Sequence, residues 1–463
     1  MKHTVFSHPF IANSATADWK SMLSGLRIKS IQDLYSDVPA KFLLRRKLNL
    51  GDPLSELETF NHVSRILANN RSYREMSVFV GAGTWLHYIP AAVSEAISRS
   101  EFVTSYTQYQ PEASQGMLMA LFEYQSLMAE LLEMDVVNAS MYDWATALGE
   151  AGRMSARLTR RREVVVPRFA SPERRGTLQT YLDPIGGRMV EAAQSKESGQ
   201  IVLESLKEHV SSDTAAVYLE NPSYLGFLET QVTAVAEISH DAGALFIVGV
   251  DPTSLGIIKP PGDYGADIVV GEGQPFGNPV NFGGPLLGIL ACRNDLKMIR
   301  AMPGRIIGMT TTVDETQRAF VMSLQTREQH IRRGEATSNI CTNNALCALA
   351  SAVYLSLLGK NGVQELSKHI LAKTKYAIER FSAIGTVEAP LFKAPHFKEF
   401  TLGLKDRHAD DVLRELLKHE ICGGKSLAPE FPELGESVLV CVTELHSKQQ
   451  IDNYVETLDK ILG

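Results

Sequence analysis

The sequence predicts an α/β protein in three parts: a helical N-terminal arm (residues 1–75), a large domain (76–330) and a smaller C-terminal α+β domain (331–463). Between residues 78 and 290, short apolar runs alternate with helical patterns, and the runs at 215–219 and 244–250 are almost wholly apolar. Strands of a mainly parallel sheet, covered by helices on both faces, have this composition. Beyond residue 330 the pattern changes to helices with a few alternating strands.

The arm and the large domain follow from local spacing. Two apolar stripes at helical spacing occur in the arm, one around Ile31 and one at residues 54–66. In the large domain a helix is expected from Ser114 to Met134, and strands are expected at residues 78–80, 164–166, 215–219, 244–250 and 268–270. Each strand run is followed by Pro, Asn, Asp or Gly, which places polar loops at the strand ends.

The C-terminal domain mixes helices and strands. Helices are expected at residues 343–358, 366–378 and 412–421, and strands at residues 400–404 and 438–442. In the last helix Ile451, Tyr454 and Leu458 share one face, and Ser447 with Gln450 forms a capping box at its start. These elements predict a small domain packed against the large one.

Composition indicates an ordinary globular chain of 463 residues, with 44% hydrophobic residues, 21% charged residues and a net charge of −7. Disordered, collagen-like and coiled-coil proteins are excluded. The acidic balance argues against general binding of nucleic acid or anionic membranes. The 5 cysteines form no CxxC pair, no signal-peptide core is present, and the apolar stretch at 345–358 is too short for a membrane span. A cytoplasmic location is therefore expected.

Polar loops at the predicted strand ends are the candidate binding segments. Residues 104–116 place Tyr106, Tyr109 and Gln115 before a helix, where they could receive an anion or simply cap the helix. Residues 138–147 could cradle a phosphate with Ser140 and Thr146, although the indole of Trp144 is bulky there.

Three further loops follow buried strands. The loop beginning at Asn221 could line a cofactor or form a plain turn. Asp251, at the tip of the run 244–250, could cap the next turn or pair with a cationic ligand atom. Residues 271–285 are too rich in glycine and proline for regular structure, and long irregular segments inside a compact domain are usually functional.

One charged run, residues 326–342, contains Arg327, His330 and Arg332. Its charges could serve a site, a subunit contact or a solvated helix face, and the trailing Thr-Ser-Asn favours a structured loop. No HExxH, CxxC or His/Asp cluster indicates a metal site, and no GxxxxGK[ST] indicates a nucleotide P-loop.

In this order, the segments resemble the pyridoxal-phosphate-dependent glycine decarboxylases, the P-proteins of the glycine cleavage system. The motifs that carry the resemblance are TSYTQYQPEASQG, NASMYDWATALGEA, GADIVVGEGQPFG, NFGGP, PGRIIGMT and TREQHIRRGEATSNICT. The resemblance covers essentially the whole chain. More narrowly, the chain is similar to the alpha subunit (subunit 1) of organisms that divide the enzyme between two polypeptides.

This resemblance implies a fold, a reaction and partners. The fold is the aspartate-aminotransferase type, fold type I. The reaction is the decarboxylation of glycine by pyridoxal phosphate, which supplies an electron sink, followed by transfer of the aminomethyl group to the lipoyl arm of the H-protein. T-protein and lipoamide dehydrogenase complete the system. Asp251 matches the aspartate that holds the cofactor's pyridine nitrogen, and residues 140–146 match the phosphate cup.

The chain departs from the family pattern at its catalytic lysine. Where the catalytic half has a His-Lys-Thr motif, this chain has Gln274 and Pro275, and Lys259 lies outside the motif. No catalytic residue is therefore assigned here, and pyridoxal phosphate is expected on a partner beta subunit, in an assembly of two alpha and two beta chains. The alternative is a stand-alone enzyme without the usual lysine, or a regulatory pseudo-enzyme. The resemblance leaves two candidate sets: Tyr106, Tyr109, Gln115, Arg327, His330 and Arg332 for a site shared with the partner, and Ser140, Thr146, Asn221 and Asp251 for a vestigial cofactor pocket.

Overall fold

A computed structural model describes residues 10–11, 16–44, 46, 48–104, 108–282 and 284–463. The chain divides into two compact units, Met1–Arg71 and Ser72–Gly463.

The first unit is helical in its described residues. It contains α1 (Thr16–Gly25), α2 (Glu56–Leu67) and 3₁₀ turns at Ile31–Tyr35 and Ala40–Phe42. The stripe predicted at residues 54–66 lies on α2. Ser55 caps this helix, accepting from the Glu58 N–H while the Glu58 carboxylate accepts from the Ser55 N–H at 2.8 Å.

The second unit contains the strands and the remaining helices. Its strands are β1 (Ser77–Val78), β2 (Val136–Val137), β3 (Glu163–Pro167), β4 (Arg188–Ala192), β5 (Thr214–Glu220), β6 (Leu245–Val250), β7 (Ile268–Glu272), β8 (Gly288–Cys292), β9 (Ile306–Thr311), β10 (Arg318–Ser323), β11 (Val387–Glu388), β12 (Glu399–Leu404), β13 (Ile421–Cys422), β14 (Lys425–Ser426) and β15 (Ser437–Cys441). Its helices are α3 (Ala91–Ile97), α4 (Ser100–Val103), α5 (Gln115–Leu132), α6 (Trp144–Thr159), α7 (Pro172–Leu182), α8 (Leu203–His209), α9 (Val232–Asp241), α10 (Leu296–Ala301), α11 (Gln329–Arg332), α12 (Ala345–Ser382), α13 (Ala409–Lys418) and α14 (Lys448–Leu462).

Seven strands form the main sheet in the order β2-β8-β7-β6-β5-β3-β4. The pairs from β4 through β3, β5 and β6 to β7 are parallel, whereas β8 runs antiparallel to β7 and to β2. Every residue of β3, β5 and β7 is buried, which explains their continuous apolar runs. The predicted mainly parallel α/β sheet is confirmed. The sequence did not predict β2, β4 or β8, and the strand predicted at 78–80 instead corresponds to β1, which pairs with β13 outside this sheet. β4 is a partly exposed edge strand with polar residues.

A second, antiparallel sheet has the order β11-β12-β15-β14. It packs with α13, α14 and the end of α12 around an apolar cluster that includes Phe381, Phe400 and Tyr454. The capping box predicted at Ser447 and Gln450 is confirmed at the start of α14. The predicted domain boundary at residue 330 stays a prediction.

The helices predicted at 343–358 and 366–378 are continuous in α12 apart from a kink at Gly359, whose φ of 58° and ψ of −176° are not helical. This helix is long and apolar enough to cross a membrane, but half of its most apolar window is buried inside the protein. Buried core helices meet the same criteria, and α12 contributes Ala348, Ala350 and Tyr354 to the core of the large sheet.

Candidate functional site

The carboxyl ends of β5, β6 and β7 meet the start of α6 and the start of β12. Binding sites of parallel α/β sheets lie at this edge. Here the cavity, which we call the strand-end pocket, has a volume of only about 10 Å³. That is about the space of a single water molecule. Its lining includes Trp85, Trp144, Arg174, Asp251 and Glu399.

Asp251 follows β6 directly and is paired from within the chain. Its Oδ2 lies 2.7 Å from Nζ of Lys398, and the side chains of Lys398 and Asp251 are only 1% and 6% exposed. Its Oδ1 accepts hydrogen bonds from the backbone N–H and the hydroxyl of Thr253, at 3.0 and 2.8 Å. Asp251 therefore caps the following turn, as one interpretation predicts, and its other oxygen pairs with a lysine of the same chain instead of a cationic ligand atom.

Trp144, the first residue of α6, fills the space beside β6. An added Cβ at Gly249 would lie 2.6 Å from its indole, so the ring rests directly on the strand. The Arg174 guanidinium stacks 3.3 Å from the same ring and pairs with Glu220 at 3.0 Å. Trp144 Nε1 donates to the Tyr218 hydroxyl at 3.1 Å. These contacts hold the bulky indole in place.

Two buried carboxylates complete the surroundings of this pocket. Glu272 accepts from the backbone N–H groups of Trp144, Gln274 and Leu287 at 3.2, 3.0 and 2.8 Å. Glu399 accepts from the Ala82 N–H at 2.7 Å and from Trp85 Nε1 at 2.9 Å. Burial raises the pKa of each carboxyl to about 7, against the hydrogen bonds that lower it.

Gln274 and Pro275 occupy the loop after β7 where the resemblance places the lysine of a catalytic half. The Gln274 side chain is fully engaged with backbone groups: Oε1 accepts from Trp85 N at 3.0 Å, and Nε2 donates to Trp85 O at 3.1 Å and Asn278 O at 2.7 Å. An amide nitrogen is not nucleophilic, and this one is already bonded twice.

Pyridoxal phosphate does not fit the strand-end pocket. The cofactor needs a ring-sized cavity, a free aspartate for its pyridine nitrogen and an open helix N-terminus for its phosphate. Here the cavity holds at most a water molecule, Lys398 pairs with the aspartate, and the Glu272 carboxylate accepts the first N–H of α6. The chain's own side chains therefore make the contacts that a cofactor would otherwise make at this edge of the sheet.

Of the other residues predicted for the vestigial cofactor pocket, Thr146 and Asn221 form hydrogen bonds within the chain, and the Ser140 hydroxyl forms none among the described residues. Thr146 forms a capping box with Asp143 at the start of α6. The Asn221 side chain bonds the backbone of Glu229 at both of its polar atoms. Ser140 is fully buried and its hydroxyl has no hydrogen-bond partner among the described residues.

A second cavity, which we call the loop cleft, has a volume of about 400 Å³. It is lined by Tyr109, Arg305, Met322, Gln325, Glu328, Gln329, His330, Ile340, Cys341 and Thr342. Arg305 and Glu328 form an ion pair that is about nine-tenths buried. The Arg305 guanidinium lies 4.8 Å from the Tyr109 ring and donates to Cys341 O at 2.9 Å.

Only part of the predicted shared-site set meets at this cleft. Tyr109 and His330 line it, and half of the His330 side chain is exposed. Arg327 is instead buried, donating to the backbone oxygens of Met302 and Gly304, and Arg332 is exposed on α11. Gln115 anchors β10, bonding the Phe320 N–H and carbonyl at 2.8 and 2.9 Å. Tyr106 lies outside the described residues.

Sequence reasoning did not single out Lys398, Trp85, Glu399, Arg305 or Glu328. Arg305 and Glu328 lie within the motifs PGRIIGMT and TREQHIRR, which could have indicated them. Lys398 had one weaker signal, a charge that directly precedes an apolar strand. Among the described residues, no group of three or more His, Cys, Asp and Glu side chains could hold a metal ion.

Comparisons with known proteins give one consistent family. Residues 9–458 match the model of the glycine cleavage system P-protein. The chain is 50% identical, over 98% of its length and 99% of that protein's, to the probable glycine dehydrogenase (decarboxylating) subunit 1 of Thermococcus onnurineus. It is similar to a solved glycine decarboxylase (P-protein), with 35% identity, a TM-score of 0.86 and coverage of 99% of this chain and 100% of that one. A NifS-like protein, 13% identical with a TM-score of 0.61 over 84% of this chain and 99% of its own, supports the predicted fold type I and nothing more.

Proposed function

The chain belongs to the family of glycine cleavage system P-proteins, and on that premise we propose that it is the alpha subunit, subunit 1, of a two-chain glycine decarboxylase. In this role it pairs with a lysine-bearing beta subunit that holds the pyridoxal phosphate. The assembly decarboxylates glycine and delivers the aminomethyl group to the lipoyl arm of the H-protein. Two alpha and two beta chains in the cytoplasm are the expected form.

The closed strand-end pocket is the observation that supports this division of labour. Gln274 and Pro275 offer no primary amine, and Lys398 blocks the aspartate from within. A chain with this pocket contributes shape and contacts rather than the cofactor. The stand-alone enzyme has no comparable support, because it would need a second cofactor site.

The loop cleft is the part of the chain that we propose faces the shared site. It is open and large enough for a small ligand, and the half-exposed imidazole of His330 lies on its wall beside the ring of Tyr109, whose hydroxyl is buried. Arg305 is about nine-tenths buried, paired with Glu328 and bonded to the Cys341 carbonyl, so it fixes the shape of the cleft wall rather than presenting a free charge.

Co-expression with a subunit 2 tests the assignment. We expect the two chains to elute together in equal amounts from a sizing column, with a light-scattering mass that fits two of each. A chain that remains separate from subunit 2 at micromolar concentration would contradict the proposal. Omitting subunit 2 provides the control.

A further inference from the structure

We propose that Lys398 is an internal counter-ion, which takes the place of a bound organic cation at Asp251 and keeps the strand-end pocket closed. The inference concerns this chain alone and does not depend on the proposed function. It predicts that removing the ammonium turns the pocket into a site for a small primary ammonium ion.

The contacts of the two side chains support this role. Lys398 is 1% exposed, and its Nζ lies 2.7 Å from Asp251 Oδ2 and 4.3 Å from the centre of the Trp85 ring. A carboxylate on one side and an aromatic face on the other form a typical environment for a bound ammonium or aromatic cation. Burying an ammonium is costly unless it is paired, and the side chain that pairs with it here is Asp251.

The backbone at Lys398 directs two successive side chains into one pocket. In a regular strand, neighbouring side chains point to opposite faces. Lys398 precedes β12 with a φ of 62°, which L residues other than glycine adopt at a cost. As a result both Lys398 and Glu399 are buried and both contact Trp85, one at the ring face and one at Nε1. The cost of this backbone conformation is offset by the buried contacts that the Lys398 side chain makes.

The ion pair also joins the seven-stranded sheet to the four-stranded sheet. Asp251 directly follows β6, a central strand of the seven-stranded sheet, and Lys398 directly precedes β12, a central strand of the four-stranded sheet. A ligand in this pocket would have to separate them. The closed pocket is therefore part of the structure that holds the C-terminal sheet against the strand ends.

A double-mutant cycle in the full chain separates charge from packing. Lys398→Met keeps the length of the side chain and leaves Asp251 unpaired, and we expect its melting temperature to fall by roughly 5 °C or more. Lys398→Met/Asp251→Asn, which removes both charges, is expected to recover at least half of that loss. Lys393→Ala is the control, because Lys393 is 70% exposed and its pair with Glu197 is a surface pair. If the double variant melts no higher than Lys398→Met, or fails to fold as that variant does, packing rather than charge explains Lys398 and the proposal is overturned.

Refilling the cavity is the second test. Lys398→Ala should melt several degrees higher in tens of millimolar n-propylammonium chloride than in the same concentration of n-propanol. The wild-type chain and Lys398→Ala/Asp251→Asn should show no such difference. An equal effect of the amine and the alcohol on Lys398→Ala would refute an ammonium site at Asp251.

Discussion

The side chain of Gln274 forms two hydrogen bonds with the backbone of Trp85. The Gln274 carbonyl oxygen accepts from Trp85 N at 3.0 Å, and its amide nitrogen donates to Trp85 O at 3.1 Å. Gln274, one of the two residues that the resemblance places at the lysine position of a catalytic half, therefore fixes the residue whose indole covers Lys398. The glutamine at this position and the closed pocket are therefore structurally linked.

Because of this link, we expect that a lysine introduced at position 274 alone does not create a cofactor site. Gln274→Lys removes the acceptor for Trp85 N and buries an ammonium in a pocket without space, so we expect it to cost roughly 2–4 kcal/mol of folding free energy. No internal-aldimine absorbance should develop when pyridoxal phosphate is added. Gln449→Lys, on the exposed face of α14, is the control. A stable Gln274→Lys chain that binds the cofactor would show that the pocket is not closed.

The buried carboxyls predict a pH dependence of stability. The pKa of Glu272 and that of Glu399 are raised from 4.5 to about 7 by burial, so the folded chain binds protons more tightly than the unfolded chain. The contribution of these two protonated carboxyls to the free energy of unfolding is therefore complete below about pH 4.5. It is lost as the pH rises to about 7, by up to roughly 1 kcal/mol per pH unit for each group.

Urea unfolding of the full chain between pH 5 and pH 8 measures that slope. Glu399→Gln should flatten it, whereas Glu365→Gln should not, because Glu365 is an exposed residue paired with Lys368 and its pKa is lowered by that pairing. If the unfolding free energy has the same slope against pH in the wild type and in Glu399→Gln, Glu399 does not contribute to the pH dependence.

The loop cleft predicts a role in turnover for Tyr109. Tyr109→Phe keeps the ring beside Arg305, so the melting temperature should not change. If the Tyr109 hydroxyl, which is buried in the chain by itself, contacts a small ligand in the shared site, turnover of the enzyme reconstituted with subunit 2 should fall roughly tenfold, the equivalent of one hydrogen bond. Tyr88→Phe, at a tyrosine that is 60% exposed, is the control. Unchanged turnover would favour the alternative that residues 104–116 only cap the start of a helix. Tyr106→Phe is expected to behave like Tyr109→Phe.

Arg327 and Arg332, two of the three arginines of the charged run, are predicted to act differently. Arg327→Ala leaves the carbonyls of Met302 and Gly304 without their buried donor, and should destabilise the chain by about 2–3 kcal/mol. Arg332→Ala, on exposed α11, should leave the melting temperature unchanged but weaken assembly with subunit 2. Sedimentation of the mixed subunits distinguishes the two effects. If Arg332→Ala assembles with subunit 2 and turns over as the wild type does, Arg332 does not contribute to the subunit contact.

The parallel sheet was predictable because its central strands are buried on both faces and carry continuous apolar runs. The edge strand β4 was not, since its exposed positions are polar. Gln274 could be singled out because it stands inside a recognisable motif, and Asp251 because it ends a buried strand. Lys398 could not, because its partner lies 147 residues earlier and only the left-handed backbone turns it inward. The closure of the pocket is a tertiary property.

The central claim is that this chain works without a cofactor of its own, and isotope exchange tests it most directly. Exchange of labelled carbon dioxide into the carboxyl group of glycine should be absent with the purified chain and pyridoxal phosphate. It should appear when a lysine-bearing subunit 2 is added, with borohydride fixing the cofactor only on that partner. Exchange by this chain alone, with the cofactor reduced onto Lys259, Lys398 or any other single lysine, would contradict the account.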